Sequence, residues 1–388
     1  MTRTPRPRNP GTALNRRHWL ALAASGAVSA CGGGGSDLLS SLPGTGGTGI
    51  SADGPITGFG SVIVNGIRFD DSAASVTLNG VAATSTDLRL GMTAAVTGQR
   101  TASAGTASSI EVWAAAQGPV TQQQAGVIVV MGMRIEADAA TTLDGITALT
   151  ELQVGDWVTV WGLQGPPSAG TWTATRVSRA SASGSSAITT GQVRHVGIRR
   201  SVNGVWIGGS TLDAIPEGQL LRVRGALDAA TNTLVPDAQQ VLDGSNAPLP
   251  PQGDAALEGV ITAQTSATRF TVGRTEVEIT PALALAQAAA LKLGARVALS
   301  GTWQGRLLLA TALQVSGPEL AQLVVIEARI EQFLGLANFV VRGQRCDASG
   351  ASVQITGSLA DLRVGVKVSL RGVKNGAVIR VTALEIGG

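Results

Sequence analysis

The sequence predicts an all-β protein built from five small barrels in tandem, on three observations. An eleven-residue pattern recurs five times: LRLGMTAAVTG (88–98), LQVGDWVTVWG (152–162), IPEGQLLRVRG (215–225), LKLGARVALSG (291–301) and LRVGVKVSLRG (362–372). Within each copy, apolar residues alternate with others at the period of a half-buried strand, as in Ala94/Val96, Val158/Val160, Leu221/Val223, Val297/Leu299 and Val368/Leu370. Each copy is also flanked by the same neighbours, which give it about five strands.

Taken from the N-terminus, the first element is not part of the fold. Arg3, Arg6, Arg8, Arg16 and Arg17 precede an apolar stretch from Trp19 to Ala30, too short to span a bilayer, which needs about 20 apolar residues. A basic region, a short apolar region and a small-residue exit describe an export signal over residues 1–30. Asn15-Arg16-Arg17-His18-Trp19-Leu20 resembles the twin-arginine export motif, with Asn15 and Ala21 departing from its usual residues. An ordinary export signal with incidental arginines fits the same residues. Val28-Ser29-Ala30-Cys31 resembles the bacterial lipobox. That resemblance implies cleavage before Cys31, a diacylglycerol on its thiol and, with Gly32 next, passage to the outer membrane. Several acyl chains anchor firmly, at about 0.8 kcal/mol per buried methylene. Residues 31–53, rich in Gly and Ser, then read as a flexible tether.

Loss of the signal changes the charge. The chain holds 29 basic and 26 acidic residues; without five arginines the balance is 24 against 26, a net −2. A general attraction to nucleic acid has no basis on that count, and nucleic acid is not an expected partner.

The repeats are expected over 54–117, 118–180, 188–244, 256–317 and 323–388. A first strand (GPI, GPV, GQV, GVI, ARI) leads to a second that runs into glycine (VIVNG, VIVVMG, VWIGG, FTVG, FVVRG), and then to a third of the IRFDD or VEIT type. The opening glycine of the repeated pattern allows a turn, and the closing glycine is expected to end the fourth strand. A fifth follows, such as IEVW (110–113) or LEIG (384–387). Between the third and fourth strands a short helical turn is expected, with capping-box spacing at Thr84/Asp87 and Ser358/Asp361, lengthening to a helix over 281–294 in copy four. This is the layout of a small OB-like barrel; a β-sandwich or a flat β-solenoid also fits. A Pro-rich linker, 245–255, divides the body into a three-copy and a two-copy block.

The Gly-aliphatic repeat pattern over 54–388 resembles a family of exported bacterial domains of unknown function, the 5666 family. The resemblance implies a repeated β fold and export. It carries no active site onto these residues.

Few residues offer chemistry. Beyond the signal there is one histidine, His195, one cysteine besides Cys31, three lysines and no tyrosine. His195 falls at the end of a first strand and reads as a polar barrel-mouth residue. Cys346 aligns with Phe69, Ile135 and Val277 and reads as a small buried hydrophobe. Asp70 and Asp71 are adjacent, so on a strand they point to opposite faces. No CxxC, HxxxH or DxDxDG pattern occurs, and no metal, cofactor or catalytic residue is expected. Tryptophan stands out. Trp157 and Trp161 share the non-core face of one strand and Trp172 lies in the next, either as an exposed platform for a glycan or as packing between barrels. The expected function is therefore a non-enzymatic, lipid-anchored envelope protein that is structural or binds a protein, with glycan binding through these tryptophans as the alternative and an enzyme with an unrecognised site, resting on Asp70, Asp71 or His195, as the third reading.

Overall fold

The computed structural model describes residues 49–100, 105–166, 170–182, 184, 186–209, 212–242, 252–315 and 323–387. The expected signal, Cys31, most of the tether and most of the Pro-rich linker lie outside these residues. Residues 49–53, assigned to the tether by composition, and 252–255, assigned to the linker, belong to strands.

Alternating burial builds the elements. β1 (Gly49–Phe59), β2 (Val62–Val64), β3 (Ile67–Asp70), β4 (Ser75–Leu78), β5 (Val81–Ala83), β6 (Thr93–Arg100) and β7 (Gly105–Val112) form the first segment. β1 pairs antiparallel with β2 and β6, β2 with β3, and β6 with β7, while β3 runs parallel to β7. The ring β1-β2-β3-β7-β6 thus closes on itself. β4 continues alongside β7 and carries β5 as a hairpin.

The same ring of pairings recurs along the chain. β8 (Ala116–Gln124), β9 (Val127–Val130), β10 (Met133–Asp144), β11 (Trp157–Gln164) and β12 (Thr171–Arg179) make one. β13 (Ala187–Val196), β14 (Arg199–Val202), β15 (Val205–Ile207), β16 (Leu220–Asp228) and β17 (Thr233–Val241) make the next. β18 (Gln252–Gln264), β19 (Arg269–Val272), β20 (Thr275–Ile279), β21 (Arg296–Gln304) and β22 (Leu307–Val315) follow, with α1 (Pro281–Gln287) between β20 and β21. Last come β23 (Leu323–Gly335), β24 (Asn338–Val341), β25 (Gln344–Asp347), β26 (Gln354–Thr356), β27 (Lys367–Asn375) and β28 (Val378–Ile386). In this ring β26 extends the parallel edge of β28.

Between the third and fourth strands of the rings the chain makes short turns. At Thr84 the expected cap forms, with Asp87 Oδ2 accepting from the Thr84 backbone N–H at 2.9 Å. Ser358 makes no side-chain cap. α1 is capped by Thr280, whose Oγ1 accepts from Leu283 N–H at 3.3 Å, and Pro281 occupies the first turn. The helix stops at Gln287 rather than running to 294, because Leu291 must turn back into the core, where it is 6% exposed.

Glycine has two separate jobs in the repeated pattern. The opening Gly91 adopts φ +78°, a left-handed turn. The closing glycine does not end its strand. β21 runs three residues beyond Gly301, but its pairing with β22 slips between Ser300 and Gly301, a β-bulge. A Cβ on Gly301 would stand 2.0 Å from the Leu309 carbonyl oxygen. The same slip occurs at Gly98, Gly162, Gly225 and Gly372.

These small closed five-strand barrels merge into one eighteen-stranded and one ten-stranded sheet. β1 runs parallel to β18 from Ile50↔Asp254 to Asp53↔Leu257, and meets β23 at Gly58↔Val325 and Phe59↔Ile326. β8 meets β13 at Gln117↔Ile188. The grouping by sheet therefore corrects the division expected at the linker: the first barrel joins the last two, and the second joins the third. Strand edges, not sequence proximity, set the groups. One apolar cluster spans the first and last barrels, another the second and third, and a smaller one fills the barrel of β18–β22. No helix among the described residues is long and apolar enough to cross a membrane.

Candidate functional site

The tryptophans do not form one open row. Trp161 projects from the outer face of β11, opposite Arg176 of β12, yet is only 4% exposed and belongs to the apolar cluster of the first and last barrels. Its Nε1–H has no hydrogen-bond partner among the described residues. Burial between barrels removes Trp161 from any solvent-facing platform. Trp157 is half-buried against the core of its own barrel. Trp172 pairs with Gln164, beyond the bulge that separates Trp161 from Gly162, and so stands apart from the other two.

Trp172 instead lines a cleft where four barrels meet. Asp53 and Thr93 come from the first barrel, Leu163, Gln164 and Trp172 from the second, Arg222 from the third, and Glu258 and Arg274 from the fourth. β16 places Arg222 between β13 and β17, where its Nε donates to Thr190 Oγ1 at 3.3 Å and Nη1 to Gln240 Oε1 at 3.1 Å. The guanidinium lies 5.3 Å from the centre of the Trp113 ring. Burial, with Arg274 adding to it, pushes the Arg222 pKa down to about 9, against the pull of Asp53 and Glu111. Glu258 is held by Arg296, with Nη2 at 2.6 Å and Nε at 2.8 Å.

Two other buried cations, Arg176 and Lys374, and the partly buried Arg224 act as struts. Arg176, 3% exposed, is paired with Asp144 and donates to the Leu90 carbonyl at 3.1 Å, beside a Thr175 Oγ1 bond to the Gly91 carbonyl at 2.6 Å. Lys374 of β27 donates to the Ala140 carbonyl in β10 at 2.7 Å. Arg224 of β16 donates to the Asn79 carbonyl in the β4–β5 turn. Each joins two barrels.

The remaining singled-out residues lie apart from the cleft. His195 Nε2 is 3.0 Å from the Ile215 carbonyl oxygen. Asp70 ends β3 in solvent, and hydrogen bonds from Ser72 hold its carboxyl below the usual range. Cys346 is fully buried opposite Phe339, and burial pushes its thiol pKa up to about 12. Among the described residues no group of three or more His, Cys, Asp or Glu is placed to hold a metal ion. The cleft offers donors, acceptors and an aromatic face, which is the chemistry of binding. Neither Arg222 nor Arg274 carries a sequence signal of its own, because only the meeting of barrels brings them together.

No curated protein matches the chain. Residues 117–178 and 258–314 match the model of a domain of unknown function (DUF5666). Those segments coincide with the rings β8–β12 and β18–β22, so two of the five rings are similar to that domain.

Proposed function

We propose that the chain is an exported, lipid-anchored envelope protein in which five OB-like barrels form a non-catalytic scaffold, structural or binding a protein partner. The OB-like reading rests on the strand order first-second-third-fifth-fourth, with the third and fifth parallel and a helical turn before the fourth. The observation that carries the scaffold is how the barrels spend their buried cations. Arg176 and Lys374 are desolvated to hold carbonyls of a neighbouring barrel, which is costly unless fixed geometry is the purpose. The anchor rests on the lipobox at Val28–Cys31 and the Gly-rich residues after it.

Intact mass together with membrane fractionation tests the reading, with Cys31→Ala as control. A lipid-sized mass increase beginning at Cys31, with recovery in the outer membrane, supports it. An unlipidated soluble product, or fractionation that Cys31→Ala leaves unchanged, overturns the anchor.

A further inference from the structure

Asparagine is followed by glycine four times in the chain, at Asn65-Gly66, Asn79-Gly80, Asn203-Gly204 and Asn375-Gly376. With no Cβ beside it, a glycine nitrogen is open to close on the preceding side-chain amide carbon. Three of the four pairs are locked against this. Asn65, Asn79 and Asn203 have φ of +53°, +54° and +52°, and each is followed by a glycine of positive φ, as in type I′ turns. The ψ of such a residue turns its Cβ almost directly away from the next nitrogen. Each amide is also engaged. Asn65 Nδ2 donates to the Asp53 carbonyl at 2.9 Å, Asn79 Oδ1 accepts from Ala114 N–H at 2.7 Å, and Asn203 Nδ2 donates to the Thr190 carbonyl at 2.9 Å.

Asn375 is different. It ends β27, is exposed, and pairs with Val378 across the turn, so its backbone is extended. Among the described residues neither its side-chain amide nor the Gly376 N–H makes a hydrogen bond. The chain beyond is held: the Ala377 carbonyl accepts from Gln344 Nε2 at 2.7 Å, and Ala377 packs on the apolar cluster of the second and third barrels. One peptide, Asn375–Gly376, can still rotate alone. Gly376 sits at φ +59° and tolerates negative φ as readily, so that rotation leaves its neighbours in place and swings the nitrogen towards Asn375 Cγ.

We propose that Asn375 is a modification site, converted without an enzyme to aspartate and isoaspartate where the fifth barrel meets the second. The Gly376 nitrogen gives its proton to solvent base and bonds to Asn375 Cγ. The Cγ–Nδ2 bond breaks, and that nitrogen takes a proton from water and leaves as ammonia. Water then adds to one of the two carbonyls of the cyclic imide. Opening on one side gives aspartate; opening on the other gives isoaspartate, whose backbone runs one carbon longer. No oxidant or reductant takes part. Either product sets a new carboxylate next to Lys374, the strut to the Ala140 carbonyl, and isoaspartate also lengthens the β27–β28 turn. The inference goes beyond the scaffold reading and stands whether or not the chain is lipidated.

Peptide mass mapping of the purified full chain, incubated at mildly alkaline pH, tests it. Methyl transfer from S-adenosylmethionine by an isoaspartate methyltransferase is the second readout. In the folded chain the amide-to-acid mass gain at Asn375 should outpace that at Asn65, Asn79 or Asn203 by about tenfold or more, the factor that breaking one or two hydrogen bonds imposes. In urea the four should react at similar rates, since the residue after each is the same. Asn375→Gln, which would have to close a larger ring, should keep the fold and lose most of the methyl transfer. An intact Asn375 in a folded chain whose urea control has reacted overturns the proposal, as does earlier conversion of any of the other three. An undiminished lead of Asn375 in urea overturns it too, because the fold would then not be what selects the site. Should Asn375→Gln fail to fold, mass mapping of the unaltered chain still decides.

Discussion

Lys374 shows how burial ties one residue to pH. Burial pushes its pKa down from 10.5 to about 8, with Arg296 and Arg176 adding to the shift and Asp138 and Glu258 opposing it. Below pH 8 both folded and unfolded chains hold the proton, and the folded state bears the full desolvation cost. Between about 8 and 10.5 the unfolded chain binds more protons, so stability rises with pH across that window. The rise is at most about 3 kcal/mol. Urea midpoints at two pH values inside and below the window should show it in the wild type and not in Lys374→Met; parallel curves would contradict the assignment. Cys346 makes a second residue-scale test. With its thiol pKa at about 12 and its side chain fully buried, a Cys31→Ala chain should not react with a thiol reagent at pH 8 until it is unfolded. Trp161 gives a third. Trp161→Ala should cost about 3–5 kcal/mol, while Trp161→Phe, which removes the unpartnered N–H, should cost far less.

At the scale of elements, the repeated pattern was readable because two inward positions of the fourth strand, two residues apart, are apolar in every copy, although β11 is buried on both faces. The meaning of its closing glycine was not. A glycine that ends a strand and one that permits a bulge look alike in sequence; only the pairing, which passes from Ser300↔Ala312 to Gly301↔Ala310, distinguishes them. Gly301→Ala should therefore cost roughly 2–4 kcal/mol. Gly305→Ala, at φ +70° with no atom within 4 Å of its Cβ, should cost only about 1–2 kcal/mol. Chemical denaturation of both variants decides; equal losses would contradict the bulge account. The β4–β5 hairpin was missed altogether, although Asn79-Gly80 between SVTL and VAAT is a strong hairpin signal. Both residues take positive φ, and the Asn79 side chain accepts from Ala114 N–H at 2.7 Å. An apparently spare turn thus docks the first barrel onto Arg224.

At the scale of the molecule, the sequence order of the repeats hides the contacts that matter. Nothing in residues 50–53 announces a parallel partner at 254–257, because a backbone edge carries no side-chain code. Trp161 was legible as special but not as buried, since its partner surface comes from another barrel. The described residues fall in one compact unit, held by these edges and by the cationic struts. Arg176→Met, which frees the Leu90 carbonyl and half-exposed Asp144, should lower stability by about 1–3 kcal/mol in the whole unit rather than in one barrel. Calorimetric unfolding of the full chain tests the interlocked scaffold most directly. A single transition, with calorimetric and van't Hoff enthalpies equal, is the predicted result. Separate transitions for individual barrels, left unmoved by Arg176→Met, would contradict it.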